Sequence, residues 1–325
     1  MAKTAFITGI AGQDGSYLSE YLKGLGYRVT GIVRRNSVVE HQKDRLSEVL
    51  GIEFMYGDLL DPSSINNALE HFCPDEIYNL AAQSHVRISS DIPVFTVSTN
   101  ALGVLNMLES YKLLTSEAKF YQASSSEMFG SSVDSDGFQR ESTPMNPVSP
   151  YGCAKVFGYN ITRHYREAYG RFICNGILFN HESPRRGSNF VTNKVVKTAV
   201  EIKLGKKSSL EMGNLDSFRD WGHSADYVRA MHAIVNAEKA SDYVVATGAT
   251  HSVRELCEYV FTHLGLDYKN YVSQNPKYMR PQELKYLRGD ATRIRAELGW
   301  EPVYTFETLL DEMIQHWERV LTQQN

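Results

Sequence analysis

The chain has 325 residues, 42% hydrophobic and 22% charged, and carries a formal net charge of -4 at pH 7. That balance excludes a disordered or membrane-embedded chain, and the acidic excess argues against a nucleic-acid partner held by broad electrostatics. Cys73, Cys153, Cys174 and Cys257 form no CxxC pair and lack histidines at metal spacing, so reduced structural thiols and no metal site are expected. The opening MAKTAFITGI is too short for a signal peptide, and no uncharged apolar run reaches membrane-spanning length, so the expected setting is the cytoplasm, away from membranes.

In chain order, Thr4 to Thr8, Arg28 to Val33, Glu53 to Tyr56, Glu76 to Leu80, Lys119 to Ser124 and Ile173 to Phe179 are short β-branched or apolar runs that predict strands. Between them, Gly15 to Leu25, Pro62 to His71, Phe95 to Leu114 and Tyr151 to Tyr169 are amphipathic and predict helices. This alternation predicts an α/β fold, a Rossmann-type doubly wound parallel sheet whose ligand crevice lies at the carboxyl ends of the strands. A Pro, Arg and Gly-rich turn at Ser183 to Gly187, a helix from Val191 to Leu204 and a further strand at Tyr243 to Thr247 follow. The length exceeds what one core usually serves. The expected division is therefore a nucleotide-binding domain over 1–180, rejoined by about 213–248, and a smaller, discontinuous carboxyl-terminal substrate lobe over 181–325.

After the first strand comes Gly9-Ile10-Ala11-Gly12-Gln13-Asp14-Gly15, a GxxGxxG turn opening a helix, the arrangement that presents backbone N–H groups to a pyrophosphate. An NAD site would carry an acidic residue at the end of the second strand; Arg34 and Arg35 stand there instead, and two guanidinium groups suit the 2′-phosphate of NADP. Asp58 and Leu59 after the third strand fit an adenine contact. Leu80, Ala81, Ala82, Gln83 and Ser84 after the fourth are placed to line the cofactor or to pack.

Tyr151 and Lys155 form YxxxK on one helix face, and a neighbouring ammonium together with an oxidised nicotinamide is expected to favour the phenolate. The fifth strand ends in Ser124-Ser125-Ser126-Glu127; continued as an extended strand, it would point Ser125 and Glu127 to the same side.

With these residues in place, the chain resembles the extended short-chain dehydrogenase/reductases, and among them the GDP-mannose 4,6-dehydratases. The resemblance rests on GIAGQDGSYL, LAAQSHV, YQASSSEMFG, SPYGCAK, GILFNHESPRRG, RDWGHSADYV and RPQELKYLRGD, spread over nearly the whole length. It implies catalysis by Ser125, Glu127 and Tyr151, with Lys155 beside the nicotinamide ribose. It adds His181 and Arg186 to the cofactor contacts, and implies a GDP-sugar substrate held by Ser84, Ser125, Glu127, Tyr151, Asn180, Val191, Lys194, Arg219, Arg280 and Glu283. A homodimer or homotetramer is implied as well, with residues 34–37 reaching across an interface. One departure is that Ser125 stands where the family usually has Thr; the hydroxyl stays, but the rotamer-restricting methyl is gone.

Glu127 separates reaction classes: an epimerase or 4-ketoreductase needs only hydride transfer, whereas a 4,6-dehydratase needs a base for C5 and an acid for the departing C6 hydroxyl. Three alternatives stay open on sequence alone: a GDP-heptose 4,6-dehydratase, a nucleotide-sugar epimerase or ketoreductase, and a non-catalytic nucleotide sensor.

Overall fold

The computed structural model describes residues 2–34, 45, 51–279 and 282–323. Its central sheet contains β1 (Thr4–Thr8), β2 (Arg28–Val33), β3 (Glu53–Tyr56), β4 (Glu76–Asn79), β5 (Lys119–Ser125) and β6 (Ile173–Leu178). These pair in parallel in the order β6-β5-β4-β1-β2-β3, and the returning strand Asp242–Val245 adds to the β6 edge, registering Val244 with Ile177. Residues of β1, β4 and β6 are buried without alternation, as helices on both faces require. The last strand begins one residue earlier and ends two earlier than the sequence run from Tyr243 to Thr247 implied.

The helices on the sheet are α1 (Gln13–Gly24), α2 (Pro62–Phe72), the short α3 (Val86–Asp91) and α4 (Pro93–Val97), α5 (Gly103–Leu114) and α6 (Pro150–Tyr169). Local chemistry fixes their ends. Asp61 caps α2 by accepting from Ser63 and Ser64 N–H, and Ser149 caps α6 by accepting from Gly152 N–H at 3.0 Å. Pro62 and Pro150 occupy first-turn positions where no amide is needed, and Gly170 closes α6 in the left-handed region at φ 61°. The sequence predicts one helix over 95–114, but the chain forms α4, a π-helical turn at Ser98–Leu102, and then α5.

Alternate residues of the strands feed two cores. Ile7, Tyr78 and Tyr121 pack with Leu18 and Leu22 of α1 on one face, whereas Phe6, Ile77 and Phe120 pack with Leu69 of α2 and Leu108 of α5 on the other. Past β6 come β7 (Asn180–Glu182), α7 (Val191–Lys203), β8 (Leu210–Met212), β9 (Phe218–Arg219), β10 (Trp221–His223) and α8 (Ser224–Val235). The returning strand is β11 (Asp242–Val245), followed by β12 (His251–Ser252), α9 (Val253–His263), β13 (Val272–Gln274), α10 (Thr292–Leu298) and α11 (Phe306–Thr322). Met231 and Val235 of α8 join the α1 face of the sheet, whereas Val196 of α7, Phe261 of α9 and Leu310 of α11 share a separate core. Among the described residues, no helix is long and apolar enough to cross a membrane.

Candidate active site

A cleft of ≈ 760 Å³ opens at the carboxyl ends of β4, β5 and β6, lined by Leu80, Ala82 and Ser84 after β4, by Ser125 and Glu127, and by Phe179, Asn180 and His181 after β6. This is where a doubly wound sheet concentrates its ligand groups, because loops diverge there while the strands stay packed.

At the inner end, β5 stops at Ser125 and the chain turns into a single 3-10 turn over Ser126–Met128. Ser125 caps this turn: its Oγ accepts the N–H of Glu127 at 3.3 Å. The strand alternation expected for this pair is therefore replaced by a capped turn, and it is the turn that carries the Glu127 side chain onto the cleft. Helix α6 supplies Tyr151 and Lys155 from one face, and Gly152 explains how the helix approaches so closely. A Cβ at position 152 would lie 2.8 Å from the Glu127 carbonyl oxygen and 2.9 Å from Pro147 Cβ. All four polar side chains are nearly enclosed, Ser125 and Tyr151 at 8% exposure, Lys155 at 6% and Glu127 at 5%.

Burial dominates the titration of Tyr151 and Lys155. It pushes the Tyr151 phenol up to about 12; the Ser125 hydroxyl acts downward and the Glu127 charge upward. The ammonium of Lys155 is turned toward the end of β5. It donates to the Ala123 carbonyl at 2.8 Å and sits 5.7 Å from the tyrosine ring centre, and burial brings it down to about 8.

The glycine turn precedes α1. Gly9 has φ +71°, and a Cβ there would lie 2.9 Å from Ala81 N; a Cβ at Gly15 would lie 2.3 Å from the Gly9 carbonyl oxygen. Gly12 is the N-cap residue and no side chain caps the helix. Ala11 is half-buried beside it. Gln13 ties the turn to the far wall, donating to the His181 carbonyl at 3.1 Å and accepting from Ser183 at 2.8 Å. Asp14 lines the cleft and pairs with His181 at 2.8 Å.

Two expected cofactor residues turn their side chains elsewhere: Ile10 is fully buried in the α1 core, and Leu59 is 3% exposed in the α2 and α5 core. Asp58 accepts the N–H of Leu60 at 3.0 Å, and Ala81 packs against the same core as Leu59. Gln83 is gripped by a residue that sequence reasoning missed: Asn100 of the π-helical turn accepts its N–H at 2.8 Å and donates to its carbonyl at 2.9 Å. Arg34 is exposed, with its guanidinium 5.7 Å from the Phe95 ring centre, and Arg35 lies outside the described residues.

The outer wall comes from α7, β9 and the segment before α10. Val191 opens α7, and Lys194, one turn on, donates to the Glu211 carbonyl at 2.6 Å and lies 3.8 Å from the Tyr278 ring centre. Arg219 is 5% exposed; it donates to the carbonyls of Phe218 and Leu284 and to Glu283 at 2.9 Å. Arg186 pairs with Glu182 at 3.0 Å and lies over Phe190. Arg280 lies outside the described residues. Lys197, Lys277 and Tyr278 also line this wall. Only Lys197 left a signal in the sequence, through its i, i+3 spacing from Lys194.

A family model described as GDP-mannose 4,6 dehydratase matches residues 6–313. GDP-mannose 4,6 dehydratase 2 of Arabidopsis thaliana is 46% identical over 96% of this chain and 86% of its own length. The human GDP-mannose 4,6 dehydratase is 44% identical over 95% of this chain and 90% of its own, and a Vibrio cholerae GDP-mannose 4,6-dehydratase is 42% identical over 96% and 92%. Among solved structures, dTDP-glucose 4,6-dehydratase DesIV from Streptomyces venezuelae, with NAD and TYD bound, superposes with a TM-score of 0.86 at 23% identity, over 99% of this chain and 98% of that one. RMD from Pseudomonas aeruginosa, complexed with NADPH, gives 0.81 at 23%, over 98% and 100%. These structural likenesses carry the fold, while the sequence match over nearly the whole chain carries the family. The chain belongs to the GDP-mannose 4,6-dehydratase family.

Proposed function

We propose that this protein is a hydro-lyase that converts GDP-D-mannose to GDP-4-keto-6-deoxy-D-mannose and water, with NADP as a resident cofactor. The observation that carries the reading is the placement of the Glu127 carboxylate on the cleft, beside Tyr151, on a turn capped by Ser125 and packed against Gly152. An epimerase or ketoreductase has no use for that second acid/base.

The turn at Gly9 to Gly15 fits a dinucleotide: the close approaches at Gly9 and Gly15 hold it tight, and Gly12 leaves the first turn of α1 without a side-chain cap. In this reading the backbone of Gly9 to Asp14 holds the pyrophosphate through its N–H groups, Leu80, Ala82 and Ser84 flank the nicotinamide half, and Lys155 holds its ribose. Arg34 and Arg35 favour NADP over NAD by pairing with the 2′-phosphate. When bound, the nicotinamide supplies two-electron chemistry, taking hydride from C4 and returning it to C6 with no net oxidation.

The chain's own residues move the protons. Tyr151 removes the proton from O4, while the Ser125 hydroxyl hydrogen-bonds that oxygen. Its phenol, held near 12 by burial, must be brought down by the positive charge of the oxidised cofactor. Glu127 then takes the C5 proton, acidified by the C4 ketone, and delivers it to the departing C6 oxygen as water leaves. C5 regains a proton when hydride reaches C6, which balances the one taken from O4. Asn180, Lys194, Arg219 and Arg280 hold the diphosphate, with Val191 and Glu283 along the same wall. The assembly is a homodimer or homotetramer in the cytoplasm, with the sheet as cofactor domain and the α7, α9 and α11 core as substrate lobe.

The test is mass spectrometry of the products after incubating the purified protein with GDP-mannose and a GDP-heptose in parallel. Loss of one water from GDP-mannose is expected. Loss from the heptose alone overturns the substrate, and no loss from either overturns the reaction.

A further inference from the structure

Asp14 stands in the first turn of α1, on the cleft, where the proposed pyrophosphate would bring further negative charge. Like charges there oppose binding unless something cancels the carboxylate. The only ionisable group the described residues hydrogen-bond to it is His181: its Nε2 faces the Asp14 carboxylate at 2.8 Å, and its Nδ1 faces the Phe179 carbonyl at 2.7 Å. Both partners only accept, so the ring satisfies both contacts only by donating from both nitrogens, which is the imidazolium. The ring is fixed in that pose by stacking on Tyr227, with centres 4.4 Å apart. Ser224 and Gln13 donate to the other carboxylate oxygen at 3.1 and 3.2 Å but bring no charge.

Resting on the cofactor reading above, we infer that His181 is a positioning residue that acts through Asp14: its imidazolium neutralises the acid in the pyrophosphate cradle, and its deprotonation sets the alkaline limit of cofactor binding. The groups that face the pair fit this role. Arg186, beyond β7, acts on both partners, and Asp14 raises the titration of Lys155 and Tyr151 in the inner site. Burial acts to lower His181, but Asp14 overrides it and raises the ring above its ordinary 6.5; burial likewise acts to raise Asp14, and His181 with Arg186 holds it at about 2. A histidine with a raised value loses its charge as pH rises through that value, so cofactor affinity declines as pH rises through it.

The experiment is a binding titration of full-length protein with NADP, followed by protein fluorescence, across neutral to alkaline pH, where the 2′-phosphate is already fully ionised. His181→Gln is expected to weaken binding on the order of tenfold by leaving Asp14 uncompensated. Asp14→Asn alone is expected to bind at least as tightly as the native protein at neutral pH and to decline less steeply at alkaline pH, where only loss of the Lys155 charge remains. The double variant is expected to recover to within about twofold of native, because the charge needing neutralisation is gone. A double variant as weak as His181→Gln overturns the inference in favour of a direct or purely structural role, as does an alkaline decline as steep in Asp14→Asn as in native protein. Asp14→Asn also stands alone as a test if His181→Gln does not fold. Native protein that binds no nicotinamide dinucleotide overturns the cofactor reading and this inference together, whereas native binding without rescue overturns only the inference.

Discussion

The two ends of the cleft are built differently. At the inner end, Ser125, Glu127, Tyr151 and Lys155 are all nearly enclosed and come from the end of one strand and the start of one helix, locked together by a serine cap and a glycine contact. At the outer end, Lys194, Arg219 and Arg186 come from separate elements, and each already holds a protein carbonyl or carboxylate. The inner end is preorganised, so its parts contribute to the chemical step; the outer cations can exchange a protein acceptor for a ligand phosphate, so they contribute to binding. Inner substitutions should therefore change kcat, and outer ones KM.

The largest effect tests the inner end. Glu127→Gln should lower kcat on the order of 10³-fold with little change in KM, because a general acid/base is removed while the turn and its cap remain. Reduced cofactor should accumulate in this variant, visible by its absorbance, since Tyr151 still permits oxidation at C4. Tyr151→Phe should be equally slow but accumulate none. If both variants behave alike, the division of labour between the two residues fails.

Arg219→Ala should be the costliest outer change. It removes donors from Leu284 and Glu283 in a nearly enclosed setting, so a rise in KM on the order of tenfold is expected, together with about 2 kcal/mol of lost stability by denaturant titration. A fall in kcat with unchanged KM would place Arg219 with the inner residues and break the contrast.

Lys155→Met reads the energetic consequence of preorganisation. An enclosed ammonium brought from 10.5 to about 8 costs stability when charged, up to about 3 kcal/mol. That cost is full below pH 8 and fades as pH rises toward 10.5. The variant should lose activity yet melt higher than native protein at pH 7, less the roughly 1 kcal/mol lost at the Ala123 carbonyl. The gain should shrink at alkaline pH, and a variant that melts lower at every pH contradicts the account.

How legible these two regions were in the sequence follows from the same contrast. β1, β2 and β3 fall where the sequence runs place them, and the glycine turn and YxxxK are contiguous signals whose context is local. The turn carrying Glu127 was not legible, because three residues after a strand read equally as strand or turn. Nor was the π-helical turn, since one extra residue per turn barely disturbs a helical period, and with it went the grip of Asn100 on Gln83. Ile10 and Leu59 look like cofactor residues by position, but burial directs their side chains inward. The high phenol of Tyr151 escaped for a related reason, because spacing shows its charged neighbour and not its desolvation. The outer wall brings Val191 and Glu283 onto one surface from distant parts of the chain, which no local pattern encodes.

Lys194 gives the smallest and most specific effect. Burial lowers its ammonium below the ordinary lysine value, so its charge is lost at a lower pH than that of a surface lysine. Half-buried, with one protein carbonyl and an aromatic face as partners, it stands to exchange that carbonyl for a diphosphate oxygen. Lys194→Met should raise KM severalfold, leave kcat within about twofold, and flatten the salt dependence of KM. With NADP saturating, the KM of native protein should climb at alkaline pH, and in Lys194→Met that climb should be absent. Steady-state kinetics of both proteins across pH and ionic strength measure this directly, and a loss confined to kcat would mean that the outer wall takes part in chemistry after all.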